Sequence, residues 1–532
     1  MKIKTLARLA PSVICLALGA PAQAQSVAGQ QALYAASLAA TCANCHGTEG
    51  RAGADQQGLQ RRADRLACQL LCRAKEIGFR QALIGASTMY TNLHRTGLAG
   101  MAGFGRRALL QSTAAWSLLG LAGCASPGRM QSGIPAKARV VVIGGGYGGA
   151  TAAKYVRLLS KHQIDVVLIE PQPAFVSCPL SNLVLSGAKQ MSELTVPYAG
   201  LTKNHGIQVI RDSASAIDTA KKTVTLAGGS VIAYDKLVLS PGIELMWDSV
   251  DGLQAANASG QILQAWKAGA ETVALRRQLQ AMPDGGVYAI TIPEAPYRCP
   301  PGPYERASVI AGYFKAAKPR SKVLILDANP DVTSKGPLFK KVWAEQYPGI
   351  VEYRSQHRAI AVDAKAGLIK FDVQDDVKAS VLNVLPAMRA GAIAVQAGLN
   401  NQANQRWCGV NFLSFESSAA QDVHVLGDAI QVAPAMPKSG HMANNHGKVA
   451  AAAIVAQLSG WEVNPAPMLT NTCYSFVDNQ NVIHVASVHE YVALEKTFKA
   501  VAGAGGVSVS PSAQEGEYAR SWANNIWADM LM

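Results

Sequence analysis

The sequence predicts an α/β fold with two Rossmann-like dinucleotide-binding domains and a C-terminal α+β domain. From Arg139 onward, short runs rich in Val and Ile alternate with Ala-rich helical segments, a pattern typical of α/β proteins. At the start of this region, a valine-rich strand leads into a Gly-x-Gly-x-x-Gly turn and then a helix. The chain has 532 residues, of which 49% are hydrophobic and 16% charged, so it is long enough for two or three such domains.

The glycine turn has the spacing of a nucleotide-binding fingerprint. Gly144 makes the tight turn, Gly146 lets the backbone approach a pyrophosphate, and Gly149 lets the helix pack on the strand. The N–H groups at the helix N-terminus then face the phosphates. A second strand at 166–169 is followed by Glu170, whose carboxylate can bind ribose hydroxyls. A glycine turn without a ligand is the structural alternative.

Two later turns favour FAD over NAD as the nucleotide. The strand at 237–239 ends in Ser240-Pro-Gly242, and the strand at 423–426 ends in Gly427-Asp428. In flavin disulfide-reductase-like folds, the first of these turns re-enters the first domain and the second places a carboxylate on the ribityl chain. Their order and spacing predict an FAD-binding domain.

The middle of the chain lacks the second glycine turn that such folds use for NAD(P)H. The strand at 286–292 is followed by five prolines, at positions 293, 296, 300, 301 and 303. Because proline has no N–H to offer a pyrophosphate, we interpret the nicotinamide site as lost. Electrons must then leave the flavin by another route.

The net charge of +14 does not indicate nucleic-acid binding. Residues 51–107 hold ten Lys and Arg against three Asp and Glu, so half of the net charge lies there, and no basic stripe with aromatic residues follows. The chain begins with Lys2 and Lys4, an apolar stretch at 6–18 and Ala22-Gln-Ala24, which together predict a secretory signal and a periplasmic protein.

A second export signal follows within the same chain. Arg106-Arg107 precede an apolar run at 114–121, and Met101 stands where a start codon would fall. We hypothesise that residues 1–100 derive from an upstream reading frame, and we expect their deletion to leave flavin loading and reactivity toward the substrate unchanged. Cys124 in the sequence Leu-Ala-Gly-Cys could carry a lipid that anchors the protein to a membrane.

The N-terminal segment contains a haem c attachment pattern. Cys42 and Cys45 could form the two thioethers, and His46 could ligate the iron. A chance CxxC or a disulfide is the alternative. Residues 51–100 offer only Met89 or His94 as a second iron ligand, in a stretch without helical or strand periodicity.

Three further cysteines lie close to the nucleotide-binding landmarks. Cys178 follows the second strand, Cys299 lies in the proline-rich turn, and Cys473 lies near the C-terminus. A free cysteine is most often a small buried hydrophobic residue. In an oxidising compartment, however, a pair of cysteines favours a disulfide.

From Gly144 onward the chain resembles the flavoprotein subunit of flavocytochrome c sulfide dehydrogenase. The matching stretches are SCPLSN at 177–182, YRCPPGPYER at 297–306, WC at 407–408, FES at 415–417, GDA at 427–429, MPKSG at 436–440, NTCY at 471–474 and WANNI at 522–526. The resemblance implies a thioether from Cys178 to the flavin, a redox disulfide between Cys299 and Cys473, and an acid/base role for Glu305. Residues 42–50 are similar to the start of the cytochrome subunit.

The function expected from these observations is oxidation of sulfide to sulfur or polysulfide, with electrons passed to a c-type cytochrome partner. An NAD(P)H-linked disulfide reductase or NADH dehydrogenase is the alternative enzyme, and a non-catalytic electron-transfer subunit is the alternative class. The expected organisation is a signal peptide at 1–24, a truncated cytochrome c-like segment at 25–100, an export signal at 101–127, an FAD-binding domain at 138–250 and 386–460, a pseudo-NAD-binding domain at 251–385 and a C-terminal interface domain at 461–532.

Overall fold

The computed structural model describes residues 20–46 and 138–532, with only the backbone of 20–26, 28 and 42–46. Several predicted features lie outside the described residues. They are Cys124, Met89, His94, both arginines of the second export signal and the side chains of the haem attachment motif. In the described part, the fold is the predicted α/β arrangement of two nucleotide-binding-type domains and a C-terminal α+β part.

The first domain is built on a seven-stranded sheet. One of its inner strands has the sequence Arg-Val-Val-Val-Ile, and its three valines are fully buried because this strand belongs to the parallel part of the sheet, which is covered on both faces. The elements of its first half are β1 (Arg139–Ile143), α2 (Tyr147–Leu159), β2 (Asp165–Ile169), β3 (Ala174–Val176), α3 (Asn182–Ser186), a 3₁₀ turn (Met191–Leu194), β4 (Thr195–Pro197), α4 (Ala199–His205), β5 (Gln208–Ile210), β6 (Ala214–Asp218), β7 (Thr223–Leu226), β8 (Val231–Ala233), β9 (Lys236–Leu239) and β10 (Ile243–Leu245).

The chain returns to this sheet after the central domain. The returning elements are β18 (Met388–Ala390), α9 (Ala392–Gln396), β19 (Val410–Asn411), β20 (Glu416–Ser417), β21 (Val423–Val425), a 3₁₀ turn (Gly427–Ala429) and α10 (Gly440–Leu458). The strand order is β19-β20-β21-β9-β1-β2-β5, and β21 pairs parallel to β9. The carboxyl ends of β1, β9 and β21 therefore meet at one edge of the sheet.

The central domain has its own parallel sheet and a separate antiparallel sheet. The elements are a 3₁₀ turn (Trp247–Ser249), α5 (Leu253–Ala258), α6 (Ala270–Ala281), β11 (Val287–Ile292), α7 (Gly302–Ala317), β12 (Lys322–Asp327), α8 (Gly336–Gln346), β13 (Val351–Arg354), β14 (Ala359–Asp363), β15 (Leu368–Phe371), β16 (Val377–Lys378) and β17 (Val381–Val384). The parallel sheet has the order β13-β12-β11-β17, and the antiparallel sheet β14-β15-β16 packs beside it.

The C-terminal part is a three-stranded antiparallel sheet followed by a helix. Its elements are β22 (Met468–Phe476), β23 (Val482–Val492), β24 (Thr497–Val507) and α11 (Ala513–Leu531). The N-cap hydroxyl of Ser512 accepts a hydrogen bond from Glu515 N, which satisfies one of the free N–H groups at the start of α11. This sheet brings β22 against α7 and α10, and with it the cysteine near the C-terminus.

An N-terminal helix, α1 (Ala20–His46), packs on α10 and α11. Lys448 and Asp529 form a fully buried ion pair at 2.8 Å, and the Lys448 ammonium also donates to Ala40 O at 2.7 Å. Leu33 and Ala40 are buried in the same contact. Within the described ranges, no helix combines the length and apolar character that a membrane span requires.

Candidate active site

The glycine turn between β1 and α2 needs glycine for three different reasons. Gly144 has a φ of +95°, and a β-carbon there would stand 2.3 Å from Ser240 O. A β-carbon on Gly149 would stand 1.9 Å from Gly144 O, so this position keeps the turn and the helix in close contact. Around Gly146, in contrast, no protein atom lies within 4 Å of the same point. Gly146 thus leaves open space at the N-terminus of α2.

Glu170 lies at the carboxyl end of β2, as predicted, and binds the glycine turn. One carboxylate oxygen accepts a hydrogen bond from Gly145 N at 2.7 Å, and the other accepts from Gln172 N at 2.8 Å. The side chain does not line the cavity described next. Its role at a ribose stays a prediction, whereas its role in holding the turn is visible.

One cavity brings together predicted residues from separate parts of the chain. Its wall combines the glycine turn, the ends of β9 and β21, the start of α7 and the middle of β22. The predicted site residues in that wall are Gly146, Cys178, Ser240, Gly242, Cys299, Glu305, Gly427, Asp428 and Cys473. Gly144, Gly149 and Glu170 lie behind this wall.

Asp428 presents an unsatisfied acceptor to the cavity. Its Oδ1 atom is buried and has no hydrogen-bond partner among the described residues, and burial raises the pKa of the carboxyl. Lys438 donates to the Asp428 backbone oxygen at 2.9 Å and so holds the 3₁₀ turn in place. A buried polar atom without a partner is costly, so this oxygen indicates a ligand that donates a hydrogen bond.

The two candidate redox cysteines reach the cavity from different domains. Cys299 has a φ of +58°, and its N–H donates to Lys438 O at 2.8 Å, which fixes the turn ahead of α7. Cys473 lies in the middle of β22, where Asn471 Nδ2 is 3.4 Å from its sulfur. Burial raises the pKa of both thiols. Both sulfurs are unbonded in this structure, so the disulfide stays a prediction.

Glu305 lies on the first turn of α7, six residues after Cys299. Its carboxylate is buried and accepts a hydrogen bond from Phe476 N at 3.4 Å. Burial raises the pKa of this carboxyl to about 7, against the opposing influence of the Lys335 ammonium. A carboxyl with a pKa near neutrality can both accept and release a proton at physiological pH.

Several residues of the cavity wall were missed by sequence reasoning. Arg298 and Lys438 lie inside the quoted stretches but had no role assigned, and His441 lies immediately after one of them. Thr472 N donates to Nδ1 of His441 at 3.0 Å, and burial lowers the pKa of the imidazole to about 3. His441 is therefore a neutral ring with its proton on Nε2. Only the tertiary contacts reveal this, because nothing in the local sequence predicts burial at the start of a helix.

The candidate haem ligands cannot be placed at a site. Cys42, Cys45 and His46 belong to the last turns of α1, but their side chains lie outside the described residues. Elsewhere in the described ranges, no group of three or more His, Cys, Asp or Glu side chains is arranged to hold a metal ion.

Three family models match separate parts of the chain. Residues 138–271 match pyridine nucleotide-disulphide oxidoreductases. Residues 272–386 match the central part of the sulfide dehydrogenase [flavocytochrome c] flavoprotein chain, and residues 465–531 match the flavin-binding part of flavocytochrome c sulphide dehydrogenase.

The curated relatives include sulfide-oxidising flavoproteins. The flavoprotein chain of flavocytochrome c sulfide dehydrogenase from Chlorobaculum thiosulfatiphilum is 61% identical over 46 residues, which are 94% of that protein and 9% of this chain. The mitochondrial sulfide:quinone oxidoreductase of Dictyostelium discoideum is 24% identical over 46% of this chain. The sulfide-quinone reductase of Aquifex aeolicus is 35% identical over 20% of this chain. The chain spans 51% and 25%, respectively, of the length of the last two proteins.

Solved structures confirm the predicted fold class. The sulfide:quinone oxidoreductase of Aquifex aeolicus superposes with a TM-score of 0.59 and 18% identity, over 73% of this chain and 90% of that one. The putidaredoxin reductase–putidaredoxin complex superposes with a TM-score of 0.52 and 17% identity, over 66% and 82%. These likenesses show the fold. The family matches and the Chlorobaculum relative show that this chain belongs to the family of flavocytochrome c sulfide dehydrogenase flavoprotein chains.

Proposed function

We propose that this protein is an FAD-dependent enzyme that oxidises sulfide through Cys299 and Cys473 and passes electrons to a c-type cytochrome. One observation carries the proposal: both cysteine sulfurs and the Glu305 carboxyl line the same cavity as the glycine turn and Asp428. The names of the Chlorobaculum and Aquifex relatives support sulfide as the substrate.

The residues present fit FAD. The open space at Gly146 would admit a pyrophosphate to the N-terminus of α2, and the unpartnered Oδ1 of Asp428 would accept a hydrogen bond from a ribityl hydroxyl. Gly242 and Gly427, both with positive φ, let the backbone turn away beside the same cavity. Bound FAD would supply the two-electron acceptor, and the single-electron donor, that the proposed reaction needs.

The protein side of the reaction begins with cleavage of a Cys299–Cys473 disulfide. Hydrosulfide forms a bond to one cysteine sulfur, the cysteine–cysteine bond breaks, and the electron pair leaves on the other cysteine as a thiolate. The products are a persulfide, on one cysteine, and a thiolate. Glu305 accepts the proton that the persulfide releases. Sulfur then accumulates as persulfide or short polysulfide.

Cys178 is the proposed covalent anchor of the flavin. Its thiol is free in this structure and lines the cavity, within reach of electrostatic contact with Arg298. A thioether at this position would keep the cofactor in an exported protein. This assignment extends the resemblance stated above to the residue that occupies the matching position.

The turn after β11 supports an acceptor other than a nicotinamide nucleotide. It carries five prolines and delivers Cys299 to the cavity, so its backbone cannot form the N–H cradle of an NAD(P) site. We therefore favour a cytochrome as the electron acceptor, and we make a quinone the tested alternative because two relatives are named for it.

The proposed location is the periplasm. It depends on the export signals at 1–24 and 101–127, and on the stability of a disulfide in an oxidising compartment. A lipid at Cys124 would tether the protein to a membrane, and a haem at Cys42, Cys45 and His46 would place an acceptor in the same chain. Mass spectrometry of the purified protein would detect either group.

Anaerobic mixing of the oxidised holoprotein with sulfide tests the proposed function. We expect flavin bleaching, followed by reduction of added cytochrome c. Cys299→Ser and Cys473→Ser should each abolish bleaching by sulfide while dithionite still reduces the bound flavin. Bleaching by NADH but not by sulfide would replace the proposal by the alternative reductase. Rapid oxidation by a soluble quinone, with no reduction of cytochrome c, would replace the proposed acceptor.

A further inference from the structure

A buried lysine outside the cavity wall contacts the strand that carries Cys473. Lys335 immediately precedes α8 and adopts the left-handed conformation, with φ of 58° and ψ of 30°. Only 8% of its surface is exposed. Neither the strained backbone nor the buried ammonium is expected at the entrance to a helix, since left-handed non-glycine residues and buried lysines are both uncommon. Both observations indicate that specific interactions hold the Lys335 side chain in this position.

The Lys335 ammonium uses all three of its protons on the C-terminal sheet. It donates to Cys473 O at 2.9 Å, to Ser475 Oγ at 2.7 Å and to Ile483 O at 3.3 Å. Ser475 and Ile483 are paired residues of β22 and β23. A single cation of the central domain therefore holds both strands at the position of the redox cysteine.

The ammonium and the Cys473 sulfur lie on the same face of β22. Side chains two residues apart along a strand point to the same side, so Cys473 and Ser475 share a face, and Lys335 binds the Ser475 hydroxyl there. Asn471 is on this face too, and its Nδ2 is 3.4 Å from the Cys473 sulfur. Among the described residues, no hydrogen-bond donor to the Cys299 sulfur is found. The Lys335 charge acts on both thiols, and Arg298 also acts to lower the pKa of Cys299, but within the described ranges hydrogen bonds from side chains such as Asn471 reach only the Cys473 sulfur.

We propose that Lys335 is a positioning residue whose charge selects Cys473 as the sulfur released as thiolate, so that the persulfide forms on Cys299. The inference deepens the proposed function and rests on it. In the balanced step, hydrosulfide bonds to the Cys299 sulfur, the bond to Cys473 breaks, and the electron pair stays on Cys473. The ammonium stabilises that charge without touching the substrate.

The charged groups around Lys335 are consistent with a protonated ammonium at neutral pH. Burial lowers the pKa of Lys335 to about 8. The pKa is raised in the opposite direction by four neighbouring groups, Cys473, Glu305, Cys299 and Glu515. For Cys473, burial is the main influence that raises the thiol pKa, and Lys335 is the first that lowers it. The preference for Cys473 should therefore weaken above about pH 8, as Lys335 loses its proton.

Alkylation of the reduced holoprotein tests the inference without using sulfide. The full chain is reduced anaerobically with dithiothreitol and exposed to iodoacetamide between pH 6 and pH 11, and mass spectrometry quantifies the modified Cys299 and Cys473 peptides. We expect Cys473 in the unmutated protein to react about tenfold faster than Cys299 at pH 7. The alkylation rate of each cysteine rises with pH, and we call the pH at half of its maximum the midpoint. In Lys335→Met, the midpoint for Cys473 should rise by about one pH unit, which makes its alkylation about tenfold slower at pH 7.

Two further variants separate charge from hydrogen bonding. Lys335→Arg keeps the cation and should restore the Cys473 midpoint, whereas Lys335→Gln keeps only a donor and should behave like Lys335→Met. If Lys335→Met fails to fold, the Gln and Arg variants make the same comparison. The matched control is Lys318→Met, because Lys318 also donates to backbone oxygens of the central domain, those of Gln280 and Met282, away from the cavity wall. Both midpoints should stay unchanged in the control.

Three results would overturn the inference: an unchanged Cys473 midpoint in Lys335→Met, a normal midpoint in Lys335→Gln, or an equal shift of both cysteines. The third would make Lys335 a purely structural residue. Failure of the proposed function would give a result that can be told apart from these three. Sulfide would then still reduce the flavin in Cys299→Ser and Cys473→Ser, regardless of the alkylation midpoints. If the function holds, Lys335→Met should slow reduction by sulfide about tenfold at pH 7, and reduction by dithionite should not change.

Discussion

The Cys299 sulfur lies 2.9 Å from the point where a β-carbon on Gly302 would stand. The same point is 2.7 Å from the ring edge of Trp266. Both separations are shorter than a van der Waals contact, so a side chain at position 302 would force Cys299 or Trp266 to shift. The start of this helix is therefore shaped around the cysteine, and a single methyl group can test that relationship.

Gly302→Ala should displace the Cys299 sulfur, slow flavin reduction by sulfide, and lower the free energy of unfolding by about 1–3 kcal/mol through overpacking. Stopped-flow absorbance and denaturant unfolding measure the two effects. The control is Gly336→Ala at the start of α8, where the added carbon would meet Val332 at an ordinary 3.4 Å. Normal sulfide kinetics in Gly302→Ala would contradict the tight placement of this sulfur.

Gly146→Ala should weaken FAD binding without harming the fold. The added carbon meets no protein atom within 4 Å and would occupy the space proposed for the pyrophosphate. We expect a lower flavin content after dialysis, and a free energy of unfolding of the flavin-free protein within about 0.5 kcal/mol of normal. Gly149→Ala should differ by failing to fold, since its carbon would overlap Gly144 O. Full flavin content in Gly146→Ala would argue against a pyrophosphate at this turn.

Cys178→Ala should convert a covalent flavin into a dissociable one. The thiol is free in this structure, lines the cavity and matches the family position of the flavin anchor. Acid precipitation of the unmutated protein should keep the yellow colour in the pellet, and the variant should release it to the supernatant. Cys408→Ala is the control, because Cys408 is buried outside the cavity wall. Release of flavin from the unmutated protein would refute the thioether but leave FAD binding intact.

Glu305→Gln should change the pH dependence of flavin reduction by sulfide. Because burial raises the pKa of this carboxyl to about 7, its base form is present above that pH and lost below it. The rate advantage of the unmutated protein should therefore grow as pH rises through 7. Titration of sulfide itself affects both proteins and cancels in their ratio. A ratio that grows as pH falls would instead make Glu305 the acid.

The raised pKa of Glu305 also predicts how the free energy of unfolding changes with pH. A carboxyl whose pKa is raised by folding stabilises the folded state below its unfolded pKa, and that contribution is lost as pH rises through about 7. Glu305→Gln should thus gain in free energy of unfolding, relative to the unmutated protein, between pH 5 and pH 8. Denaturant titrations at several pH values measure this difference.

Deletion of residues 1–100 should keep the flavin cavity but lower stability. The described wall of the cavity begins at Gly146, whereas α1 covers α10 and α11 and accepts a hydrogen bond from Lys448 at Ala40 O. We expect normal flavin content and a lower melting temperature. Deletion of residues 47–100, which keeps α1, is the control and should melt normally. An equal melting temperature in both deletions would show that the α1 contact contributes nothing.

Local patterns in the sequence were sufficient for the fold class and for much of the cavity wall. The glycine spacing at 144, 146 and 149 requires a strand, a turn and a helix in that order, because only glycine tolerates the contacts with Ser240 O and Gly144 O. The turns at Gly242 and Gly427-Asp428 follow buried strands, and parallel strands bring their carboxyl ends to one edge. The motifs around Cys299 and Cys473 identified the cysteines through family resemblance.

The tertiary structure alone decided which groups surround those cysteines. Lys335 has no motif, and its ammonium meets Cys473 O only because the C-terminal sheet packs against the central domain. Burial, which no local pattern near Glu305 or His441 predicts, sets the pKa of each side chain. Sequence spacing records which residues are neighbours along one element, whereas desolvation and charge at the site depend on contacts between residues far apart in the chain.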